Sequence, residues 1–163
     1  EKGPHGRSPR IWCLHRFERV GSPLSSFKKV LGIRSMTMTH VPHDDGVERS
    51  YLAATKFQGL VFPCGQIPVA EDGTIPSAIG EQTVLCLNNL EASLVRAGSS
   101  LSQILQITVY LAKMQEFEEY DAAWRERFSG LPLPPRTTLF VAGFRGDKRI
   151  ELTAIAAEGT RGE

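Results

Sequence analysis

From Tyr51 onward the apolar and polar positions recur with regular periods, and the elements can be read from them in order. Leu52-Ala53-Ala54-Thr55-Lys56-Phe57 and Leu60-Val61-Phe62-Pro63-Cys64-Gly65 are short β-prone runs either side of Gln58-Gly59, which predicts a hairpin. Gly65-Gln66-Ile67-Pro68 ends the second run. A glycine there marks either a plain turn or a close backbone approach. Residues 80–97 predict a helix whose stripe runs through Val84, Leu87, Glu91, Leu94 and Val95, with Leu90 beside it, and Gly98 stops it. Ile107, Val109 and Leu111 then alternate with Thr108, Tyr110 and Ala112, the pattern of a half-buried strand.

A second helix is expected from about residue 116. Phe117, Tyr120, Asp121, Trp124 and Phe128 share one of its faces, aromatic except for a single carboxylate, and Gly130 and Pro132 end it. Asp121 on that face suits a backbone donor or an arginine at the helix edge; the other reading is a role in a site. The last two strands are expected at 137–142 and 149–157. Alternation in the final one puts Ile150, Leu152, Ala154 and Ala156 under the helices and turns Glu151, Thr153 and Ile155 toward a ligand cleft or a partner subunit. The order ββαβαββ makes an α+β domain in which two helices cover one face of a mixed sheet. A small domain commonly buries the other face by oligomerising.

Residues 1–35 show no such period. They scatter Gly3, Pro4, Gly6, Pro9, Gly21 and Pro23 among eight Lys/Arg and two acids, a net of +6; the other 128 residues carry eleven Lys/Arg and sixteen acids, a net of −5. The compact part is therefore mildly acidic, and no nucleic-acid partner is expected for it. No apolar run is long enough for a membrane span, and no membrane partner is expected. Residues 1–40 read as a basic, irregular extension, either an organelle transit peptide or another upstream segment, and residues 41–160 as the domain. Cytoplasmic residence is expected for the domain, with organelle targeting open through the extension.

The candidate chemistry is narrowed by what the domain lacks. Cys13, Cys64 and Cys86 are odd in number and widely spaced, which suggests neither a disulfide framework nor a CxxC metal site. His5, His15, His40 and His43 all precede residue 44, so a Ser-His-Asp or Cys-His device has no imidazole inside the patterned region. His40-x-x-His43 with Asp44 and Asp45 reads as a solvated turn, and neither a metal nor another cofactor is expected. One cation stands out. Pro134 and Pro135 stiffen the loop before Arg136, which presents a preorganised guanidinium whose fork matches the two oxygens of a carboxylate. On its own, that arginine is an ordinary surface residue after a loop.

Taken together, Gly65-Gln66-Ile67-Pro68, Glu81-Gln82-Thr83, Ala97-Gly98-Ser99-Ser100-Leu101, Thr108-Val109-Tyr110-Leu111, Pro135-Arg136 and Ile150-Glu151-Leu152-Thr153-Ala154-Ile155-Ala156 change that reading. Residues 51–157 resemble the RidA (YjgF) family of reactive-intermediate deaminases, formerly described as endoribonuclease L-PSP. The resemblance implies a chorismate-mutase-like fold assembled as a homotrimeric barrel, with clefts between subunits. It implies hydrolysis of enamine and imine acids, such as 2-aminoacrylate and 2-iminopropanoate, to 2-keto acids and ammonia. It further implies that Arg136 binds the substrate carboxylate, that Gly65 forms the cleft floor, that Tyr51 stands near its entrance, and that Thr138 occupies a ligand-contacting position usually held by cysteine. Asp121 falls where many members have asparagine.

The chain departs from the family at one position that matters. A second glutamate, taken to position the attacking water, is commonly found two residues after the one matched by Glu151; here it is Thr153. A threonine hydroxyl can orient a water but is no general base near neutral pH. Two functions follow from the resemblance: a deaminase using Arg136, Thr153 and Glu151, or a non-catalytic protein that binds a small carboxylate metabolite in the same cleft.

Overall fold

The computed structural model describes residues 37–159. Six strands form one mixed sheet: β1 (Thr39–Val41), β2 (Ala54–Phe57), β3 (Leu60–Pro63), β4 (Ile104–Leu111), β5 (Arg136–Phe140) and β6 (Ile150–Ala157), in the spatial order β1-β2-β3-β6-β4-β5. Two helices, α1 (Ile79–Arg96) and α2 (Phe117–Arg127), pack on one face. Short 3-10 turns at Leu101–Gln103 and Met114–Glu116 lead into β4 and α2. All neighbouring strands are antiparallel except β4 and β5, which run parallel because α2 crosses over between them.

The expected hairpin forms between β2 and β3, with Ala54 opposite Pro63 and Phe57 opposite Leu60. Its two turn residues, Gln58 and Gly59, both have positive φ (51° and 81°), the backbone twist that matches two-residue hairpins. Two expectations are corrected. Thr39 and His40, assigned to the irregular extension, belong to edge strand β1, which pairs with Lys56 and Thr55 of β2; three residues are too few to show alternation. Residues 1–36 of that extension lie outside the described residues. The stripe of α1 is rotated from the one expected: Ile79, Gln82, Thr83, Cys86, Leu87, Leu90, Ser93 and Leu94 are buried, whereas Val84 and Val95 (62% exposed) face outward. Small and polar residues sit under the helix where it crosses the sheet closely, so hydrophobicity alone marks the wrong edge. Strands β5 and β6 are separated in the sheet by β4.

The core follows from alternation. Ile107, Val109 and Leu111 of β4 and Ile150, Leu152 and Ala156 of β6 are fully buried against Leu87, Leu90 and Leu94 of α1. Each leucine or isoleucine so buried contributes about 1.5–3 kcal/mol. On the opposite face Tyr110, Glu151, Thr153 and Ile155 remain half-exposed, and Phe62 and Leu139 more so.

Buried Gln82 ties α1 to the chain entering β6. Its Nε2 donates to the carbonyls of Pro76 (2.8 Å) and Asp147 (3.0 Å), and its Oε1 accepts from the Arg149 backbone N–H (2.9 Å). A buried amide is tolerated when its groups are satisfied, as these are. Gln82→Leu keeps the volume and strands three backbone groups. It is expected to lower unfolding stability by about 1–3 kcal/mol, read as a lower urea midpoint at unchanged m-value.

Candidate functional site

Gly65 is brought to the open face by a bridge in which Gln66 N–H donates to Leu152 O (2.8 Å) and Leu152 N–H donates to Gln66 O (2.9 Å). Asn89 of α1 holds the following loop, its amide donating to the carbonyls of Ile67 (2.9 Å) and Val69 (3.1 Å). The bridge lays the Glu151 side chain directly across Gly65. A Cβ on Gly65 would collide with the Glu151 carboxylate and lie 3.2 Å from its Cδ. Of the turn and the close approach weighed from sequence, the close approach is therefore present, and its object is Glu151. Thr153 lies two residues along the same face, and both line a concavity of about 300 Å³ with Tyr110, Val141, Gly143 and Phe144. A neighbouring concavity of about 470 Å³ shares Glu151 and Phe144 and is walled by Arg145, Gly146 and Lys148.

Arg136 opens β5 on the other side of the sheet. Its guanidinium carbon sits 4.8 Å from the Trp124 ring centroid and 5.1 Å from that of Tyr120. Its Nη2 donates to Asp121 Oδ1 at 2.6 Å, and Asp121 Oδ2 accepts from Arg125 Nε at 2.7 Å. The hydrogen bond from Arg125, then that from Arg136, hold the Asp121 carboxyl below the usual range, against burial, which pushes it up. Arg136 Nη1 is buried and meets no hydrogen-bond acceptor among the described residues. Thr138 is two residues along the same face, its Oγ1 3.3 Å from Tyr120 Oη; burial pushes that phenol's pKa up, so it stays protonated. Arg136, Asp121 and Thr138 thus form one group, with Tyr120 and Trp124 as a ledge. The ledge is legible in hindsight: Tyr120, Asp121 and Trp124 share a helix face, so an arginine held by Asp121 meets both rings.

The strand register separates this group from the first. Ala154, Ile107 and Arg136 stand in one row across β6, β4 and β5, on the helix side; Thr153, Thr108 and Thr137 stand in the next row and point the opposite way. Within one chain, Arg136 cannot face a ligand held by Glu151 and Thr153. Tyr51 is 55% exposed and packs edge-on against His43, ring centroids 5.4 Å apart. Beside it Arg49 pairs with Asp45 through both carboxylate oxygens (2.6 Å each), a contact that sequence reading missed because it lies in a segment without period. Asp44 is likewise taken by Arg96. Among the described residues no group of three or more His, Cys, Asp or Glu converges on a metal-sized site, and no helix is long and apolar enough to cross a membrane.

Residues 44–158 match the family model described as endoribonuclease L-PSP. The chain belongs to the RidA (YjgF) family. Curated RidA-like relatives include the mitochondrial protein mmf1 of Schizosaccharomyces pombe, 37% identical over 112 residues (66% of this chain, 68% of that protein). A candidate reactive intermediate deaminase of Escherichia coli, TdcF, is 31% identical over 109 residues (65% and 84%). Among solved structures, yeast Mmf1 superposes with a TM-score of 0.66 at 28% identity, covering 76% of this chain and all of that one. TdcF with bound serine does so at 0.66 and 29%, covering 74% and 94%. The fold of these solved relatives agrees with the arrangement described above.

The contact between Gly65 and Glu151 carries a testable consequence. The backbone of Gly65 is not in the left-handed region, so Gly65→Ala meets only the carboxylate. Because that carboxylate is the far end of a flexible, half-exposed side chain that can rotate aside, the change is expected to cost about 0.5–1 kcal/mol, and Glu151→Ala in the same chain to recover most of it. Chemical denaturation of the two single variants and the double variant reads the coupling.

Proposed function

We propose that this protein hydrolyses reactive enamine and imine acids to 2-keto acids and ammonia in clefts between subunits of a homotrimer. The observation that carries the reading is the two-sided site. A partly buried, incompletely paired arginine lies on one face of the sheet and a glycine-floored carboxylate with a hydroxyl on the other, so a complete site requires a second copy. The half-exposed open face, with Phe62, Leu139 and Ile155, is the kind of surface that such an assembly covers.

In this scheme Arg136 of one subunit grips the carboxylate of 2-iminopropanoate or its homologues, and Glu151 and Thr153 of another line the space around the imine carbon. Water adds to that carbon. The nitrogen takes up a proton and leaves as ammonia while the carbinol oxygen becomes the keto group. Thr153 accepts and donates a hydrogen bond to the water but cannot take its proton near neutral pH; Glu151, about 7 Å along the strand, acts through a second water. Thr138 and Tyr51 complete the walls near Arg136 and at the entrance. The serine bound in TdcF supports a small amino- or imino-acid as ligand. The name of mmf1 and the basic first 35 residues support an organelle address alongside a cytoplasmic one.

The presence of threonine at 153 favours a second reading, in which the cleft binds a small carboxylate metabolite without turning it over. The test generates imino acids in situ with an amino-acid oxidase and follows their loss. The wild type is expected to accelerate it, Arg136→Ala to lose about 10–10² of the rate with the charged hydrogen bonds, and Thr153→Glu to gain about 10² or more by supplying a base. No acceleration across several imino acids, with saturable pyruvate binding that Arg136→Ala abolishes, selects the binding reading. Light scattering is expected to return three times the 18.0 kDa chain mass; a monomer at micromolar concentration contradicts the shared cleft.

A further inference from the structure

We propose that Asp121 is a built-in competitor for the Arg136 guanidinium, which makes the cleft prefer acids that carry a cationic nitrogen at C2 over plain 2-oxo acids. The inference rests on the anchor reading of Arg136 and adds a selectivity that this reading does not contain.

The geometry is direct. Asp121 Oδ1 already takes Nη2 of Arg136 at 2.6 Å, so the anchor's charge is answered in part before any ligand arrives. Asp121 does not exhaust the guanidinium: Nη1 is buried without an acceptor, and only the rings of Tyr120 and Trp124 compensate it. The Arg136 side chain is 21% exposed while Nη1 itself is buried, so a ligand reaches the free nitrogen by displacing what covers it. A carboxylate that binds there lies beside the Asp121 carboxylate or displaces it. Either way two anions compete for one cation in a partly desolvated place, where charge interactions are stronger than in water.

A bare anion such as a 2-oxo acid meets this repulsion in full. An acid whose C2 nitrogen is protonated, an iminium or ammonium acid, brings a positive charge about 3 Å from its own carboxylate and offsets the repulsion. Arg125 tempers the effect from the other side. It holds Asp121 Oδ2 at 2.7 Å but is 75% exposed and screened, so it neutralises the carboxylate only in part. Asp121 is thus a positioning and selectivity residue that acts through Arg136. It favours the protonated imine over the keto product, which helps the product leave.

The test uses the full-length protein and two three-carbon acids as probes, pyruvate and alanine, which carry a neutral carbonyl and a cationic nitrogen at C2; comparing variants cancels their difference in shape. Wild type is expected to bind alanine more tightly. Asp121→Asn keeps the shape and an acceptor for Nη2 while removing the charge, and is expected to move the affinity ratio about tenfold toward pyruvate. Arg125→Ala, a surface change, leaves the Asp121 charge less compensated and is expected to move the ratio severalfold the other way. A purely structural role for Asp121 would weaken both probes alike. Should Asp121→Asn fail to fold, judged by its melting curve, Arg125→Ala decides alone. Ratios unchanged within twofold, with binding still lost in Arg136→Ala, overturn the inference and leave the anchor standing. Pyruvate binding that survives Arg136→Ala, or no binding by wild type and Asp121→Asn alike, overturns both.

Discussion

The period-2 alternation of the β6-β4-β5 rows is the constraint on which everything else depends. One row carries Ala154, Ile107 and Arg136 to the helices, and the next carries Thr153, Thr108 and Thr137 away from them. The apolar members of the first row make that choice, because Ile107 and its neighbours must be buried, and a slip of one residue would turn the whole core outward. Arg136 is carried to the helix side because it shares a row with Ile107. The same rule puts Glu151 and Thr153 on the face that the helices leave open. The separation of Arg136 from Glu151 and Thr153 is thus a consequence of core packing.

Placing a guanidinium on the helix side has an electrostatic cost. Arg136 answers it with three contacts on one face of α2: Asp121, Tyr120 and Trp124. Each aromatic face contributes about 0.5–2 kcal/mol depending on how far water is excluded, and the charged hydrogen bond about 1.5–3. The aromatic contacts hold the guanidinium without using its hydrogen bonds. That distinction matters for function, since an arginine saturated by protein acceptors would have nothing left for a ligand, and Nη1 is not saturated. The aromatic face of α2 serves both as part of the core and as the support of the anchor.

Across the sheet the restraint is steric. The paired hydrogen bonds between Gln66 and Leu152 hold Gly65 so near β6 that the Glu151 carboxylate occupies the volume of a Cβ. Thr153, two residues along the same face, offers a hydroxyl that can orient a water but is no base near neutral pH. In the proposed reaction this hydroxyl would position the water and the carboxylate would act one step away.

Much of this molecule was determined locally. The hairpin at Gln58-Gly59, the alternation that buries Ile150, Leu152 and Ala156 and the aromatic face of α2 follow from short-range periods visible in the chain. Tertiary structure decided what depends on partners distant in sequence. The buried edge of α1 was set by where it crosses the sheet, which favours Thr83, Cys86 and Ser93 over Val84 and Val95. Strand β1 was set by its pairing with β2. The partner of Arg136 lies fifteen residues earlier on α2, and the object against which Gly65 closes lies on β6; no periodicity encodes either contact, since each arises only when a crossover or a bridge folds one element against another.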